Sequence, residues 1–308
     1  NLKQIEELLR RERLGDSPQL FVLPEFAPHG WAPGKSMAEW NAIAESIPGP
    51  TVNRLIKLAG DLRCWIAGTV FERLAEFPGR HFLTGVVIDP NGAIVLRYRK
   101  LYAFSQKTRP GDVYSDYVRL FGRESLFPVV NTPFGRLGMA IAYDIFWPEV
   151  PRALALRGVE ILINPFGSAR IESQQGSGFG QVRRVRAFEN VMYIASANIG
   201  TLDASPDGSR DRWPCEIVDF EGRVVAACDS MDGRTASARV DVAALRAHRA
   251  KPMANWLAQL QPQLHAADYL AANLWPLDTR INQPMADGRE QVELEAEIVR
   301  RIDRESAL

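Results

Sequence analysis

What this 308-residue sequence lacks narrows its identity before any motif is read. Its 37 Lys and Arg are matched by 37 Asp and Glu, leaving no net charge. A neutral balance offers no general field for nucleic acid or an anionic membrane surface. Cysteine is scarce: Cys64, Cys215 and Cys228 are odd in number and lack metal-ligand spacing, which suits a reducing compartment better than a disulfide framework. The four histidines (His29, His81, His248, His265) form no ligand or triad spacing. No apolar run approaches the roughly 20 residues needed to span a bilayer, and no secretory leader is visible. A phosphate-binding glycine loop and a zinc motif are missing. So is a Gly-x-Ser-x-Gly elbow; Gly176-Ser177-Gly178 has the wrong spacing and follows no strand. With 46 % hydrophobic and 24 % charged residues, the composition is that of an ordinary globular protein. The expectation is a soluble, cytoplasmic chain with no nucleic-acid or membrane partner.

What is present has a repeating grammar. Asn1–Leu14 reads as a helix, with Leu2, Ile5, Leu8 and Leu9 on one stripe. Gln19–Leu23 is a short strand stopping at Pro24-Glu25, and Thr51–Leu62 a second amphipathic helix. Strands Cys64–Val70, Phe82–Asp89 and Ala93–Tyr98 follow, the last two joined by the turn Asp89-Pro90-Asn91-Gly92. The second half repeats the order: strand Leu137–Ala142, helix Pro148–Arg157, strand Glu160–Asn164 and helix Gln181–Asn190. Strands Met192–Ala197, Glu216–Phe220 and Arg223–Cys228 complete it, the last pair turning at Asp219-Phe220-Glu221-Gly222. Two topologically similar halves are expected, each with helices on one side of a sheet. The second half begins with a strand and the first with a helix, so a strand is expected upstream of Asn1. A strand Ala236–Val242 and a short helix to about His248 should close the body, residues 1–250. Residues 251–308 read as an extension that packs on the body or on a second subunit, since Trp256, Trp275 and the stripe Val292, Leu294, Ile298, Ile302 need a surface to cover.

Chemistry concentrates in Thr132–Val150, TPFGRLGMAIAYDIFWPEV. An apolar strand ends abruptly at Tyr143-Asp144, and Pro148-Glu149 opens a helix, where proline's missing N–H costs nothing. Such a turn pushes one side chain out at the strand's carboxyl end and leaves backbone N–H groups free to meet an anion, the geometry of a nucleophile beside an oxyanion site. Glu25, at the exit of another apolar strand, is placed where desolvation can make a carboxylate a base. Lys100 closes Arg97-Tyr98-Arg99-Lys100, with the two arginines alternating away from Tyr98.

These stretches resemble the nitrilase superfamily of carbon–nitrogen hydrolases. Gly138 through Glu149 is similar to its G-x-x-x-C-Y-D-x-x-x-P-E nucleophile motif, Pro24-Glu25-Phe26 with Gly30-Trp31 to its general-base motif, and Tyr98-Arg99-Lys100 to its catalytic-lysine motif. Arg186-Ala187-Phe188-Glu189-Asn190 followed by Asn198 resembles its R-A-x-E-N…N pattern, read here as scaffold. The resemblance implies a four-layer α-β-β-α sandwich, a Glu-Lys-Cys triad needing no cofactor or metal, and a homo-oligomer, a dimer or larger, with the helix from Pro148 and the tail as contact surfaces. It assigns Glu25 as base, Lys100 as electrostatic stabiliser and position 142 as nucleophile, supported by Tyr143 and Asp144. His29, Phe146 and Trp147 are expected to line the pocket. The family's second, structural glutamate finds its best counterpart in Asp116, with Glu124 the alternative.

The departure is Ala142, where the motif has cysteine. Alanine has no atom to attack with, and Cys64, Cys215 and Cys228 read as small buried residues. Either a substitution holds substrate in an unreacting site, or the chain is a natural binding protein on an enzyme scaffold; the completeness of the surrounding motif favours the first. Tyr143-Asp144 leans toward amides, with nitriles and N-carbamoyl compounds open. Ile145 and Phe146 stand where carbamoyl hydrolases carry arginine, so a substrate carboxylate would need Arg109 or Arg170 as its partner.

Overall fold

Strict alternation in β2 (Trp65–Glu72) decides which way the first half faces. Ile66 and Val70 point to one side, where they pack with Val52, Leu55, Leu58 and Ala59, and with Ile5 and Leu9. Those partners lie on α3 (Pro50–Leu62) and α1 (Leu2–Glu12). Trp65, Ala67 and Phe71 point to the other side, into a core shared with the second half. The computed structural model describes residues 1–13, 19–30, 34–103, 107–167, 178–199, 214–228, 235–272, 274–284 and 288–305.

The first sheet has the order β1-β2-β3-β4, where β1 is Leu20–Val22, β3 Phe82–Ile88 and β4 Ile94–Arg99. β1 runs parallel to β2; β3 and β4 are antiparallel additions. The second sheet has the order β10-β9-β8-β7-β6-β5. Its strands are β5 (Val129–Thr132), β6 (Gly135–Met139), β7 (Ile161–Phe166), β8 (Tyr193–Asn198), β9 (Cys215–Val218) and β10 (Val224–Cys228). β6, β7 and β8 are parallel, and the flanking pairs antiparallel. α5 (Glu149–Leu156) and α6 (Gly178–Asn190) belong to this half. Gly138 is the close approach to α5: a Cβ there would meet Val159 at 2.7 Å and Leu154 at 3.1 Å. The two sheets meet at Gly85, where a Cβ would collide with the Met139 sulfur. The layers are therefore helix, sheet, sheet, helix, as expected.

The repeat is real in three dimensions: β1 to β4 match β7 to β10 in order and direction. Each half also closes its last hairpin the same way. Asp89 Oδ1 accepts from the N–H groups of Asn91 and Ala93, and Asp219 Oδ1 from those of Glu221 and Arg223. Gly92 and Gly222 follow at φ of 84° and 78°, where other residues are strained. β5 and β6 have no counterpart beside β1 among the described residues.

Three sequence expectations need correction. The elbow strand ends at Met139 rather than Ala142, because Ala142–Phe146 winds into a 3-10 turn. β7 runs on through Pro165, which sits opposite Ala197 one residue from the ladder's end, where a missing N–H costs little. Residues 235–241 form no strand and lead into α7 (Val242–Arg249), capped by the Asp241 side chain. Three further elements are too short for an apolar period to mark them, α2 (Met37–Ile43), α4 (Tyr114–Phe121) and β5, while the longer α8 (Gln263–Ala272) has no single apolar stripe. The extension forms α8 and α9 (Gly288–Glu305). No described helix is long and apolar enough to cross a membrane.

Candidate active site

Glu25 reaches the site because β1 stops short. Leu23 N–H still bonds to Ala67 O in the first sheet, but two residues later Glu25 N–H donates to Phe166 O at the end of β7. Phe26 then takes a φ of 63°, and its N–H donates to Thr69 Oγ1. A Cβ on Gly167 would lie 2.8 Å from Glu25 Oε2 and 2.9 Å from the Phe26 ring. That position admits the carboxylate only because it is glycine. Lys100 follows β4 directly, its N–H bonded to Leu83 O. Its Nζ donates to Glu25 Oε1 at 2.7 Å, and both side chains are buried. Two strand exits of the first sheet thus deliver a charge-assisted hydrogen bond out of bulk water.

The alternation through β4 works as expected. Tyr98 faces inward, while Arg99 turns outward to grip Glu72 at 2.7 and 2.9 Å and lies 4.0 Å from the Phe121 ring centroid. Arg97 Nη1 also faces Glu72, at 3.8 Å.

The third strand exit belongs to the second sheet. Ala142 is buried and has a φ of 43°, a conformation that costs a non-glycine residue about 1–3 kcal/mol and persists only where its surroundings impose it. The surroundings are specific. Asp144 accepts from Ile141 N–H at 3.0 Å, Tyr102 N–H at 2.7 Å and Tyr98 Oη at 2.7 Å. Burial pushes its carboxyl up to about 6, against the pull of the nearby Lys100 ammonium and these donors. Asp144 therefore ties the elbow to both the strand that precedes Lys100 and the loop that follows it. From the other side, Arg186 on α6 donates to Ile145 O and Phe146 O at 3.0 and 3.1 Å, closing the turn's carbonyl end. Arg186, expected as scaffold linking helix and sheet, is a clamp on the elbow itself. Asn164 Nδ2 holds Ala140 O beneath it.

Phe146 of the elbow packs edge-on 6.3 Å from Phe166, whose carbonyl accepts from Glu25 N–H, so the base exit and the elbow adjoin. Tyr143 packs edge-on against Phe146 and Trp147, and Trp147 stacks on Tyr102 at 4.2 Å. His29 packs edge-on against Phe71, its Nδ1 buried without a partner, and burial lowers its pKa. Asp116 is not brought to the site: in the first turn of α4 it is half-exposed and pairs with Arg119. Glu124 is mostly exposed and pairs with Arg157. The buried carboxylate of this segment is Asp112, which accepts from the Arg109 backbone N–H and guanidinium. Arg109, thus engaged, also lies over Trp275, and is not available to a substrate. Arg170 and Trp31 fall outside the described residues.

Two residues went unnoticed in the sequence. Lys107 lies 5.0 Å from the Phe26 ring centroid, its pKa lowered to about 8 by burial and by Lys100, against Glu25. His81 is fully buried, bonded through Nδ1 to Asn41 Oδ1, with its pKa lowered to about 4 by burial. Nothing in their spacing marks either one; only the fold brings them beside Phe26 and Phe71. Among the cysteines, burial pushes Cys64 up to about 11, away from thiolate. Among the described residues no three His, Cys, Asp or Glu side chains converge as a metal cluster.

A carboxylate and an ammonium thus meet in a two-sheet sandwich that also holds a strained strand-to-helix turn. The chain belongs to the carbon–nitrogen hydrolase family, which it matches over residues 1–250. It is 27 % identical over 190 residues to the human omega-amidase NIT2, covering 61 % of this chain and 65 % of that protein. To the formamidase of Bradyrhizobium diazoefficiens it is 29 % identical over 211 residues, covering 67 % and 55 %. The matched stretch is thus less than two thirds of either relative's length. The structure of a carbon–nitrogen hydrolase from Helicobacter pylori G27 superposes with a TM-score of 0.69 at 21 % identity, covering 86 % of this chain and 90 % of that one.

Proposed function

We propose that this site hydrolyses a small, uncharged linear amide when cysteine occupies position 142, and that the chain with Ala142 binds such an amide without cleaving it. The observation that carries the reading is the buried 2.7 Å pair of Lys100 and Glu25 at the strand exits that adjoin the elbow. In the reaction Glu25 takes the thiol proton as sulfur attacks the carbonyl carbon. The Lys100 ammonium faces the oxyanion that develops. The amine leaves with the proton held on Glu25, and a water deprotonated by Glu25 then cleaves the thioester. Two amide-acting relatives, the omega-amidase and the formamidase, support this substrate class. Engagement of Arg109 by Asp112 speaks against an N-carbamoyl amino acid, whose carboxylate needs a bidentate partner.

Ala142 itself favours a second reading, a natural receptor. The experiment is Ala142→Cys, with ammonia release followed from simple amides, nitriles and N-carbamoyl compounds and the parent chain as control. Turnover by the cysteine form alone supports the hydrolase. Silence of the cysteine form, with equal binding by both, makes the site a receptor. The partly exposed Leu156, Val185, Phe188 and Trp256 on and beside α5 and α6 are further proposed as a self-association surface, which light scattering tests.

A further inference from the structure

Gln291 is out of place as a surface-helix residue. Val292, Glu293 and Val299 of α9 are exposed, yet Gln291 is 4 % exposed. Its Nε2 donates to Ala103 O at 3.1 Å and to Glu295 Oε1 at 2.9 Å, while its Oε1 is buried with no partner. A buried acceptor left unbonded loses its hydration without return. The side chain thus keeps one acceptor unbonded while placing its donor on Ala103 O.

The location explains the choice. Ala103 is the residue after Tyr102, whose N–H holds Asp144 Oδ1, and Asp144 Oδ2 holds Ile141 N–H at the elbow. Ala103 also lies three residues past Lys100. The charge on Glu295 acts on Tyr143, beside Ala142. The far end of the same loop is held by the extension as well. Asp278 N–H donates to Gly111 O and Arg280 N–H to Asp112 O, while Asp278 accepts from Ser115 N–H and Oγ. Both ends of the segment leaving Lys100 are therefore fastened by the region beyond residue 250.

We propose that Gln291 is a positioning residue of the active site: by holding Ala103 it fixes the path from Lys100 through Tyr102 to the Asp144-bound elbow, making the C-terminal extension part of the catalytic apparatus. This rests on the function proposed above for Lys100 and position 142, but its structural half stands alone. The clamp sets where the Lys100 ammonium sits relative to residue 142, and hence how far it favours a thiolate there.

Two measurements test it. In the chain as it exists, hydrogen exchange of the Tyr102 amide is followed for the parent, Gln291→Met and Gln291→Lys; the lysine restores a donor for Ala103 O. Exchange at least tenfold faster at Tyr102 in the methionine variant, recovered by lysine, with protection elsewhere in the chain kept, is the expected result. Unchanged exchange, or a loss of protection that spreads over the whole chain with a fallen melting temperature, overturns the clamp. In the Ala142→Cys background, alkylation of the introduced thiol by iodoacetamide is followed against pH by peptide mass spectrometry. Gln291→Met should slow it five- to twentyfold at pH 7 and move the profile upward, with recovery by lysine. A profile within twofold of the parent's, despite faster Tyr102 exchange, overturns the catalytic half. An ordinary free-thiol profile already in the Ala142→Cys parent instead overturns the hydrolase reading and leaves the exchange result to judge the clamp.

Discussion

The two halves share a plan but not a task. β1 to β4 and β7 to β10 have the same order and the same Asp-bracketed hairpin, yet the first delivers Glu25 and Lys100 and the second the elbow. The difference lies in what each strand runs out into: β1 and β4 lead to Glu25 and Lys100, whereas β6 leads directly to residue 142. One half offers a buried ion pair and the other a strained turn, so neither holds a working site.

The sharpest way to break this division is Glu25→Gln in the Ala142→Cys chain. Amide turnover should fall by at least about a thousandfold, since base and oxyanion stabilisation are lost together. Stability should fall by about 3–5 kcal/mol, because Lys100 is left buried without its counter-charge; turnover assays and urea melts read the two effects. Next comes the seam. Gly85→Ala forces the Met139 sulfur aside and should cost about 1–3 kcal/mol, part of which Met139→Ala in the same chain recovers.

A third test sets a titration in one half against one in the other. His81 in the first half has a folded pKa of about 4, below the ordinary histidine value. The neutral form is favoured by the fold, so its contribution is complete above about pH 6.5 and is lost as pH falls toward 4. Asp144 has a folded pKa of about 6, above the ordinary aspartate value, so its contribution is present at low pH and lost as pH rises toward 6. His81→Phe should therefore remove about 1 kcal/mol of destabilisation between pH 7 and pH 5.5, and leave the opposite slope from Asp144 exposed in melts across pH 4–7.

The finest comparison uses the matched hairpins. Asp89→Ala and Asp219→Ala each remove a carboxylate accepting two backbone N–H groups and should each cost about 1–2 kcal/mol. Asp219 should cost slightly more through its Arg223 pair. Unequal costs of more than about 1 kcal/mol would show that the halves are alike in shape only.

Much of this frame was legible from residue order. Periods of two and 3.6 located the larger helices and all strands but β5, and Asp89 and Asp219 with their glycines located the twin turns. Strand exits at Glu25 and Lys100 were visible because an apolar run meeting a charge is a local event. The losses were of two kinds. Short elements such as α4 have too few turns for a stripe to emerge, which is why the helix that carries Asp116 was not expected. Long-range partners leave no local mark: Gln291 looks like any helix glutamine, Lys107 like a solvated cation, and Asp112 like a turn residue until Arg109 folds over it.

The backbone at residue 142 has its φ of 43° with alanine there, so the turn does not owe its shape to a reactive side chain. Glycine alone occupies that region freely. Alanine at 142 is therefore held in that region by its surroundings, with Asp144 bonded to Ile141 N–H on one side and Arg186 to the Ile145 and Phe146 carbonyls on the other.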